Sequence, residues 1–265
     1  MEGKGSVKYS IVIPTYNESG RISSTLVQIL GFMRGYTESF EVIVSDDNSS
    51  DNTLEIVKNL ASENSEIVVL ENPHRGKGPT VWSGFMEAKG DLIYMADADL
   101  SAPISEIKKL SVWIEEQGYD VVIASREGVG AERINEPFHR HLMGRVFNFL
   151  VRIIALPGIK DTQCGFKLFT KKCVKDVFPR IESLKNAKEL KSAYTGAWDV
   201  EVLLLSRQLG YKIKSVPVTW VHVKTEGVSP IRDSIKMALE ILQIKWRFVR
   251  GKYKSAQLTS ISPQE

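Results

Sequence analysis

The 265-residue sequence lacks any apolar run long enough to cross a membrane, because no stretch reaches about 18 uninterrupted apolar residues. Cysteine is nearly absent, and the two that occur, Cys164 and Cys173, build neither a disulfide framework nor a zinc site. The segment from Met1 to Lys8 has no apolar core of the kind that a signal peptide carries. We therefore expect free thiols in a reducing compartment and no integral membrane anchor.

A large excess of charge of one sign is also missing. Lys and Arg number 35 and Asp and Glu 32, which leaves a formal net charge of +3. Proteins that bind nucleic acid through bulk charge carry a larger and more clustered basic excess, so no nucleic-acid partner is expected. The content of 43% hydrophobic and 25% charged residues is that of an ordinary globular domain and excludes a disordered chain.

Short β-branched runs alternate with longer helical patterns through the first half of the chain. The predicted strands are Tyr9–Ile13, Phe40–Ser45, Glu66–Leu70, Leu92–Ala96 and Asp120–Ala124. The predicted helices are Arg21–Arg34, Thr53–Ser62, Pro79–Lys89 and Ile104–Gln117. Repeated strand–helix–strand units indicate an α/β fold with a mostly parallel sheet and helices on both of its faces.

The pattern changes after Arg126. Residues 127–137 predict a glycine-containing loop, residues 138–156 a helix, and residues 161–169 a loop followed by a strand. Further on, the predicted elements are a helix Ala197–Leu209, a strand Tyr211–Val218 and a long helix Pro230–Arg250.

Two aspartates, Asp97 and Asp99, directly follow the predicted strand Leu92–Ala96. In open α/β sheets the ligand site lies at the carboxyl ends of the strands, so the turns there are expected to meet at one edge. One intervening residue lets both carboxylates approach one ion, and Mg²⁺ or Mn²⁺ prefers oxygen ligands. A metal-bridged diphosphate is one interpretation, and a cap for the helix beginning near Pro103 is the other.

A second acidic turn contains Asp46 and Asp47. Consecutive residues at a strand end point to opposite sides, so one of the two can face a ligand and accept the imide N–H of a pyrimidine; Asp47 is favoured, and Asp46 stays open. Tyr16 offers a flat face for a base, and Glu18 offers a carboxylate for a ribose or base edge. Lys77 precedes a helix whose N-terminus suits phosphate, although neither a Walker A loop nor GxGxxG is present.

Taken together, VIPTYNE at 12–18, DDNSSD at 46–51, DADL at 97–100 and SR at 125–126 resemble the GT-A glycosyltransferases of family 2, in the same order. In the second half, DTQCGFKLF at 161–169 and WDVE at 198–201 are similar to the dolichyl-phosphate β-glucosyltransferase branch of the polyprenyl-phosphate glycosyl synthases. The resemblance implies a GT-A catalytic domain over residues 1–226, which includes the helix 138–156. Residues 227–265 are then a C-terminal amphipathic helix and tail.

The resemblance implies inverting transfer of a hexose from a nucleotide sugar to a polyprenyl phosphate at the cytosolic face of a membrane. The nucleotide-binding residues are expected to be Pro14, Tyr16, Glu18, Asp46, Asp47, Lys77 and Ala98. The catalytic residues are expected to be Asp97, Asp99, Arg126, Arg140 and Asp161. Among these, Asp97 and Asp99 hold Mg²⁺ or Mn²⁺, the two arginines hold phosphate groups, and Asp161 either lies near the acceptor or supports a turn.

Several alternatives stay open at this stage. Ser101 stands where the mannosyl branch often carries Gln, which argues against mannose. The resemblance to the glucosyltransferase branch favours glucose from UDP-glucose, with UDP-N-acetylglucosamine and GDP-mannose as alternative donors. A rival enzyme interpretation makes Asp97 the nucleophile of a phosphatase-type DxDx[TS] motif. A non-catalytic module that binds nucleotide sugars is the non-enzymatic alternative.

Two helices combine a narrow polar stripe with an otherwise apolar surface. In helix 138–156 the stripe is His141, Arg145, Asn148 and Arg152. In the last helix it is Lys236, Glu240, Gln243, Arg247, Arg250 and Lys254. Such helices can lie in a membrane interface with their basic residues at the head groups, or they can pack on each other, on the core or in a homo-oligomer.

Overall fold

The computed structural model describes residues 7–137, 144–145, 148–149, 151–190, 192–223 and 230–253, which form an α/β fold. The strands are β1 Tyr9–Thr15, β2 Phe40–Asp46, β3 Ile67–Glu71, β4 Leu92–Met95, β5 Val121–Ser125, β6 Glu132–Ile134, β7 Lys167–Thr170, β8 Ile213–Pro217 and β9 Thr219–Val221. The helices are α1 Ile22–Tyr36, α2 Thr53–Glu63, α3 Lys77–Glu87, α4 Ile107–Glu115, α5 Lys171–Val177, α6 Glu182–Lys185, α7 Trp198–Gln208 and α8 Pro230–Val249.

Seven strands form one sheet in the order β3-β2-β1-β4-β7-β5-β8. All pairs are parallel except those of β7, which runs antiparallel between β4 and β5. The mostly parallel sheet is therefore confirmed. All seven residues of β1 and all five of β5 are buried, as expected for strands that helices cover on both faces.

The sheet separates two apolar layers. On one face, Val12, Ile43 and Ile123 pack with residues of α3, α5, α7 and α8. On the other face, Ile11 and Val122 pack with residues of α1, α4 and β9. Because helices cover both faces of the sheet, the polar turns lie at the carboxyl ends of β1, β2 and β4.

The segment that follows β5 differs from the expected loop. Residues 132–134 form the short strand β6, which pairs in parallel with β9 and makes a separate two-stranded sheet. Strands of three residues carry too little alternation to be recognised in a sequence. The helix predicted over 138–156 lies partly outside the described residues. Within them, Asn148 of its expected polar stripe is buried, whereas Phe149 and Ile153 are exposed.

Three residues of the polar stripe of helix α8 contact the rest of the protein, whereas Gln243 and Arg250 of the same stripe are exposed. Glu240 accepts a hydrogen bond from the Ala197 N–H at 2.9 Å, Arg247 donates to Glu201 at 3.1 Å, and the Lys236 ammonium lies 3.4 Å from the centroid of the Tyr194 ring. These three residues therefore contact the protein, as the packing alternative predicts for this stripe. The exposed large apolar side chains of the helix are Ile235, Leu239, Leu242, Trp246 and Val249.

Residues Ile241 and Ile244 of α8 are buried in the same apolar layer as α3 and α7. The separation of a C-terminal unit at residue 227 stays a prediction. No helix in the described part of the chain combines the length and apolarity needed to cross a membrane.

Helix α3 approaches β1 so closely that residue 84 must be glycine. A Cβ atom at Gly84 would lie 2.4 Å from Cγ1 of the buried Val12. We expect Gly84→Ala to lower the free energy of unfolding by about 1–3 kcal/mol, because a packed core tolerates extra volume poorly. Urea unfolding followed by circular dichroism measures the change.

The matched control is Gly31→Ala in the exposed part of α1, where a Cβ would have no heavy atom within 4 Å. This change should raise stability by up to about 1 kcal/mol, because alanine favours a helix over glycine. Equal effects of the two substitutions would contradict the close packing of α3 on β1.

Candidate active site

The carboxyl ends of β2, β1 and β4 lie side by side, because these strands are adjacent and parallel. This arrangement brings together the three polar turns that the sequence singled out, at 16–18, 46–51 and 97–99. Pro14 itself belongs to β1 and is buried, and Ala98 is buried beside the two aspartates. The turns share one edge of the sheet, as parallel strands require.

The aspartates after β4 have different surroundings. Asp97 accepts a hydrogen bond from the Lys77 ammonium at 2.5 Å, and its side chain is 26% exposed. Asp99 accepts the Ser101 N–H at 2.9 Å, which closes a tight turn in which Leu100 has a φ of 45°. Burial lowers the pKa of Lys77, but the Asp97 carboxylate more than offsets this and raises the pKa above its ordinary value.

Glu18 lies close enough to Asp97 and Asp99 for their charges to change its pKa. Burial raises the pKa of Glu18 above its ordinary value, and Asp99 and Asp97 raise it further, although Arg21 opposes them through an ion pair of 3.0 Å. Three carboxylates therefore create a negative field at this edge. Among the described residues, no three His, Cys, Asp or Glu side chains are placed to hold a metal ion by themselves.

A glycine that was not assigned a role from the sequence limits where Asp97 can lie. A Cβ atom at Gly165 would come within 1.7 Å of Asp97 Oδ2, so any side chain there would displace the carboxylate. Gly165 follows Asp161 in the loop before β7, and the antiparallel course of β7 carries this loop to the end of β4. In the sequence, the available signal for this role was the glycine in the motif DTQCGFKLF, at the point where the loop joins the strand.

Lys167 and Asp199 form a buried pair that the sequence reasoning also missed. The Lys167 ammonium donates to the Cys164 carbonyl at 2.7 Å and lies 3.8 Å from Asp199, and both side chains are less than 7% exposed. Burial raises the pKa of Asp199, whereas Lys167 and Lys77 lower it. A single lysine in the apolar strand FKLF was a signal, because a buried ammonium requires acceptors.

Asp46 and Asp47 are both nearly inaccessible, and each organises a turn. Asp46 accepts the backbone N–H of Ser49 at 2.8 Å and its hydroxyl at 2.6 Å. Asp47 accepts the backbone N–H groups of Arg75 and Gly76 at 2.8 and 2.9 Å, and it contacts His74. Asp47 therefore holds the segment before α3, and Asp46 holds its own turn.

Tyr16 lies beside this cluster with its ring parallel to that of His74. The two ring centroids are 4.3 Å apart, and the planes differ by 12°. The ring of Tyr16 is therefore stacked against His74, a strand-end residue to which the sequence reasoning assigned no role.

Arg126 and Asp161 form a two-pronged ion pair at the end of β5. The guanidinium donates to the two carboxylate oxygens at 2.8 and 2.9 Å, and the Arg126 backbone N–H donates at 2.9 Å. Burial raises the pKa of Asp161, but Arg126 outweighs it and holds the pKa well below its ordinary value. The side chain of Asp161 is fully buried, so it contacts Arg126 rather than open space. Arg140 lies outside the described residues.

A cavity of about 280 Å³ lies beside this edge, between the segment before α3 and helix α8. Its lining includes Arg75, Gly78, Trp198, Lys236 and Arg247. Neither Asp97 nor Asp99 lines it, so it is adjacent to the acidic edge rather than part of it.

Comparison with known proteins identifies relatives over nearly the whole chain. The model of glycosyl transferase family 2 matches residues 10–178. A dolichyl-phosphate beta-glucosyltransferase of Trichomonas vaginalis is 34% identical, over 91% of this chain and 72% of its own. The dolichyl-phosphate beta-glucosyltransferase of Saccharomyces cerevisiae is 32% identical, over 92% of this chain and 76% of its own.

Solved structures share the fold at low sequence identity. Mannosyl-3-phosphoglycerate synthase from Rubrobacter xylanophilus superposes with a TM-score of 0.65 at 17% identity, over 97% of this chain and 79% of that one. Glucosyl-3-phosphoglycerate synthase from Mycobacterium tuberculosis, in complex with Mn²⁺, UDP-glucose and phosphoglyceric acid, gives 0.64 at 16% identity, over 97% and 85%.

The mostly parallel seven-stranded sheet is that of the GT-A fold, which these solved structures share, and the family model and the curated relatives show that the chain is a glycosyltransferase. The chain belongs to glycosyl transferase family 2, whose model matches more than half of its residues. The phosphatase interpretation of Asp97 finds no support among these relatives.

The buried ion pair gives a test of how the site is held together. We expect Asp161→Asn to lower the free energy of unfolding by about 3 kcal/mol, because it leaves the Arg126 guanidinium without its charged partner. Chemical denaturation provides the measurement. Glu66→Gln is the control, because its partner Arg34 is about half exposed and solvent screens that pair. Equal shifts in the two variants would contradict a structural role for Asp161.

Proposed function

We propose that this enzyme transfers glucose from UDP-glucose to the phosphate of dolichyl phosphate or a related polyprenyl phosphate, with inversion at the anomeric carbon. The observation that carries the proposal is the identity of 32–34%, across about nine-tenths of the chain, to enzymes named for that reaction. The acidic edge supports it independently, since a nucleotide diphosphate needs a metal, a cation and a base site close together.

The acceptor chemistry explains why the site needs no strong base. A phosphate monoester is already largely ionised at neutral pH, because its second pKa is near 6. One of its oxygens attacks the anomeric carbon, and the bond from that carbon to the diphosphate breaks. Catalysis then depends on positioning the two substrates and on neutralising the diphosphate that departs.

Asp97 and Asp99 are suited to hold Mg²⁺ or Mn²⁺ together with the diphosphate. Two carboxylates, with Glu18 nearby, make a hard oxygen donor set, and such an ion usually completes its shell with phosphate oxygens and water. When bound, the ion would stabilise the negative charge of the leaving diphosphate. Gly165 leaves Asp97 the space that this role requires.

The cationic side chains complete the proposed site. The Lys77 ammonium is hydrogen-bonded to Asp97 and would turn to the diphosphate when the substrate binds. Arg126, held by Asp161, presents a guanidinium of fixed orientation to phosphate. Asp161 therefore acts as a positioning residue, and Tyr16 with Asp47 is proposed to bind the base.

The proposal predicts a specific donor and a specific dependence on the site. With a short polyprenyl phosphate as acceptor, the enzyme should release UDP from UDP-glucose faster than from UDP-N-acetylglucosamine, and faster than it releases GDP from GDP-mannose. Asp99→Asn and Arg126→Ala should each lower turnover at least about 100-fold, because each removes charge stabilisation from the transition state. Chromatography of the released nucleotide measures all rates.

Asp91→Asn is the matched control, since Asp91 is exposed and immediately precedes β4, at the opposite end of the strand from Asp97. It should leave turnover unchanged. A faster reaction with either alternative donor would change the proposed sugar. Donor binding by the wild type without any transfer would indicate a binding module instead.

We also propose that the enzyme works at the cytosolic surface of a membrane, with helix α8 against the lipid. The exposed residues Ile235, Leu239, Leu242, Trp246 and Val249 recur every three or four positions and so form one apolar face. The guanidinium of Arg250 lies 4.0 Å from the centroid of the Trp246 ring. An exposed apolar face with tryptophan and basic residues at one end suits the boundary between acyl chains and anionic head groups.

The membrane proposal predicts that Leu242→Glu combined with Trp246→Glu weakens binding to anionic vesicles at least about tenfold, because both side chains would lose apolar burial. Turnover on a short water-soluble prenyl phosphate should be retained. Vesicle co-sedimentation gives the affinity, and Val112→Glu on α4 is the control for adding charge at an exposed apolar position. Unchanged sedimentation would favour an oligomer contact for this face.

A further inference from the structure

His74 lies between Tyr16 and Asp47, the two residues proposed to bind the base. Its ring is parallel to that of Tyr16, with centroids 4.3 Å apart, and its Nδ1 lies 2.8 Å from Asp47 Oδ2. The side chain is only 11% exposed, and Nε2 is buried without a hydrogen-bond partner among the described residues. The imidazole ring of His74 is therefore enclosed by the residues to which the base is assigned: it stacks on Tyr16, and its Nδ1 faces the Asp47 carboxylate.

These two contacts are the ones that a pyrimidine base would make. The base would stack on the face of Tyr16 and donate its imide N–H to the Asp47 carboxylate. The imidazole of His74 offers the same combination, an aromatic face and a ring N–H. Both oxygens of Asp47 are engaged by the segment 74–76, and its side chain is 4% exposed.

We propose that the His74 side chain acts as an internal substitute for the nucleotide base, so that the base must displace it in order to reach Tyr16 and Asp47. His74 thereby sets the affinity for the nucleotide without taking part in the transfer. This inference rests on the proposed function, since it assumes that Tyr16 and Asp47 receive the base of the donor.

The backbone hydrogen bonds around His74 allow the imidazole to move away while the segment 74–77 stays in place. The carbonyl of His74 accepts the Leu190 N–H at 2.8 Å, and the N–H groups of Arg75 and Gly76 bind Asp47. Lys77 N–H is also held, by the Tyr194 carbonyl at 3.1 Å. None of these bonds uses the imidazole, so removal or rotation of the side chain leaves the segment anchored.

The test is calorimetric titration of UDP into the wild type and into His74→Ala in the presence of Mn²⁺. Removing an aromatic competitor of this kind should tighten UDP binding by about three- to tenfold. Inorganic diphosphate with Mn²⁺ is the control ligand, because it lacks a base and should bind both proteins equally. Weaker or unchanged UDP binding by His74→Ala would overturn the proposal. Weaker binding would show that the imidazole supports the base, and unchanged binding would show that it has no effect on the affinity for the base.

A second measurement uses the wild type alone and so does not depend on the variant folding. The ring protons of His74 should resonate upfield in the free protein because of the Tyr16 ring, and UDP should move them toward the positions of an unstacked histidine. Unmoved signals at saturating UDP would overturn displacement.

These outcomes separate the inference from the proposed function. Transfer from UDP-glucose without tighter UDP binding by His74→Ala would reject the inference alone. Tighter binding without any transfer would reject the function and keep the inference. If neither protein binds UDP more tightly than inorganic diphosphate, the base site at Tyr16 and Asp47 is absent and both proposals fail.

Discussion

The antiparallel strand β7, inserted between β4 and β5, is the constraint on which the site depends. Its reversed direction carries the preceding loop to the carboxyl ends of the neighbouring parallel strands. One loop and strand thus place Gly165 against Asp97, Asp161 against Arg126, and Lys167 beside Asp199. With a parallel strand at this position, the loop before it would lie at the opposite edge of the sheet, away from the acidic turns.

A second feature of the site is that three of its carboxylates have hydrogen-bonded or charged partners within the chain. Asp97 has Lys77, Asp161 has Arg126, and Asp47 has His74 with two backbone N–H groups. Unpaired charges at a partly buried edge would be costly. The ligand binding that we propose at this site would be an exchange of partners, in which a metal, a phosphate or a base replaces a side chain. Under this proposal, the affinity for each ligand would depend on how firmly the internal partner is held.

The C-terminal helix shows that an amphipathic pattern does not by itself decide which side faces the protein. Three of its polar residues, Glu240, Lys236 and Arg247, contact Ala197, Tyr194 and Glu201. Its apolar residues divide into a buried set, Ile241 and Ile244, and an exposed set that includes Leu242 and Trp246. The exposed apolar face is the basis for the membrane proposal, whereas the inward polar residues connect the helix to α7.

The sequence by itself determined the α/β architecture and the residues of the acidic edge, because hydrophobic periodicity and the polarity of strand ends are local properties of the chain. It also located the long C-terminal helix. Only the tertiary structure decided the direction of β7, the pairing of β6 with β9, the inward face of α8 and the partners of each buried charge. Arg126 and Asp161 are 35 residues apart, and Asp47 and His74 are 27 apart. Such partners meet through packing between distant segments, and no local pattern encodes which carboxylate will find which cation.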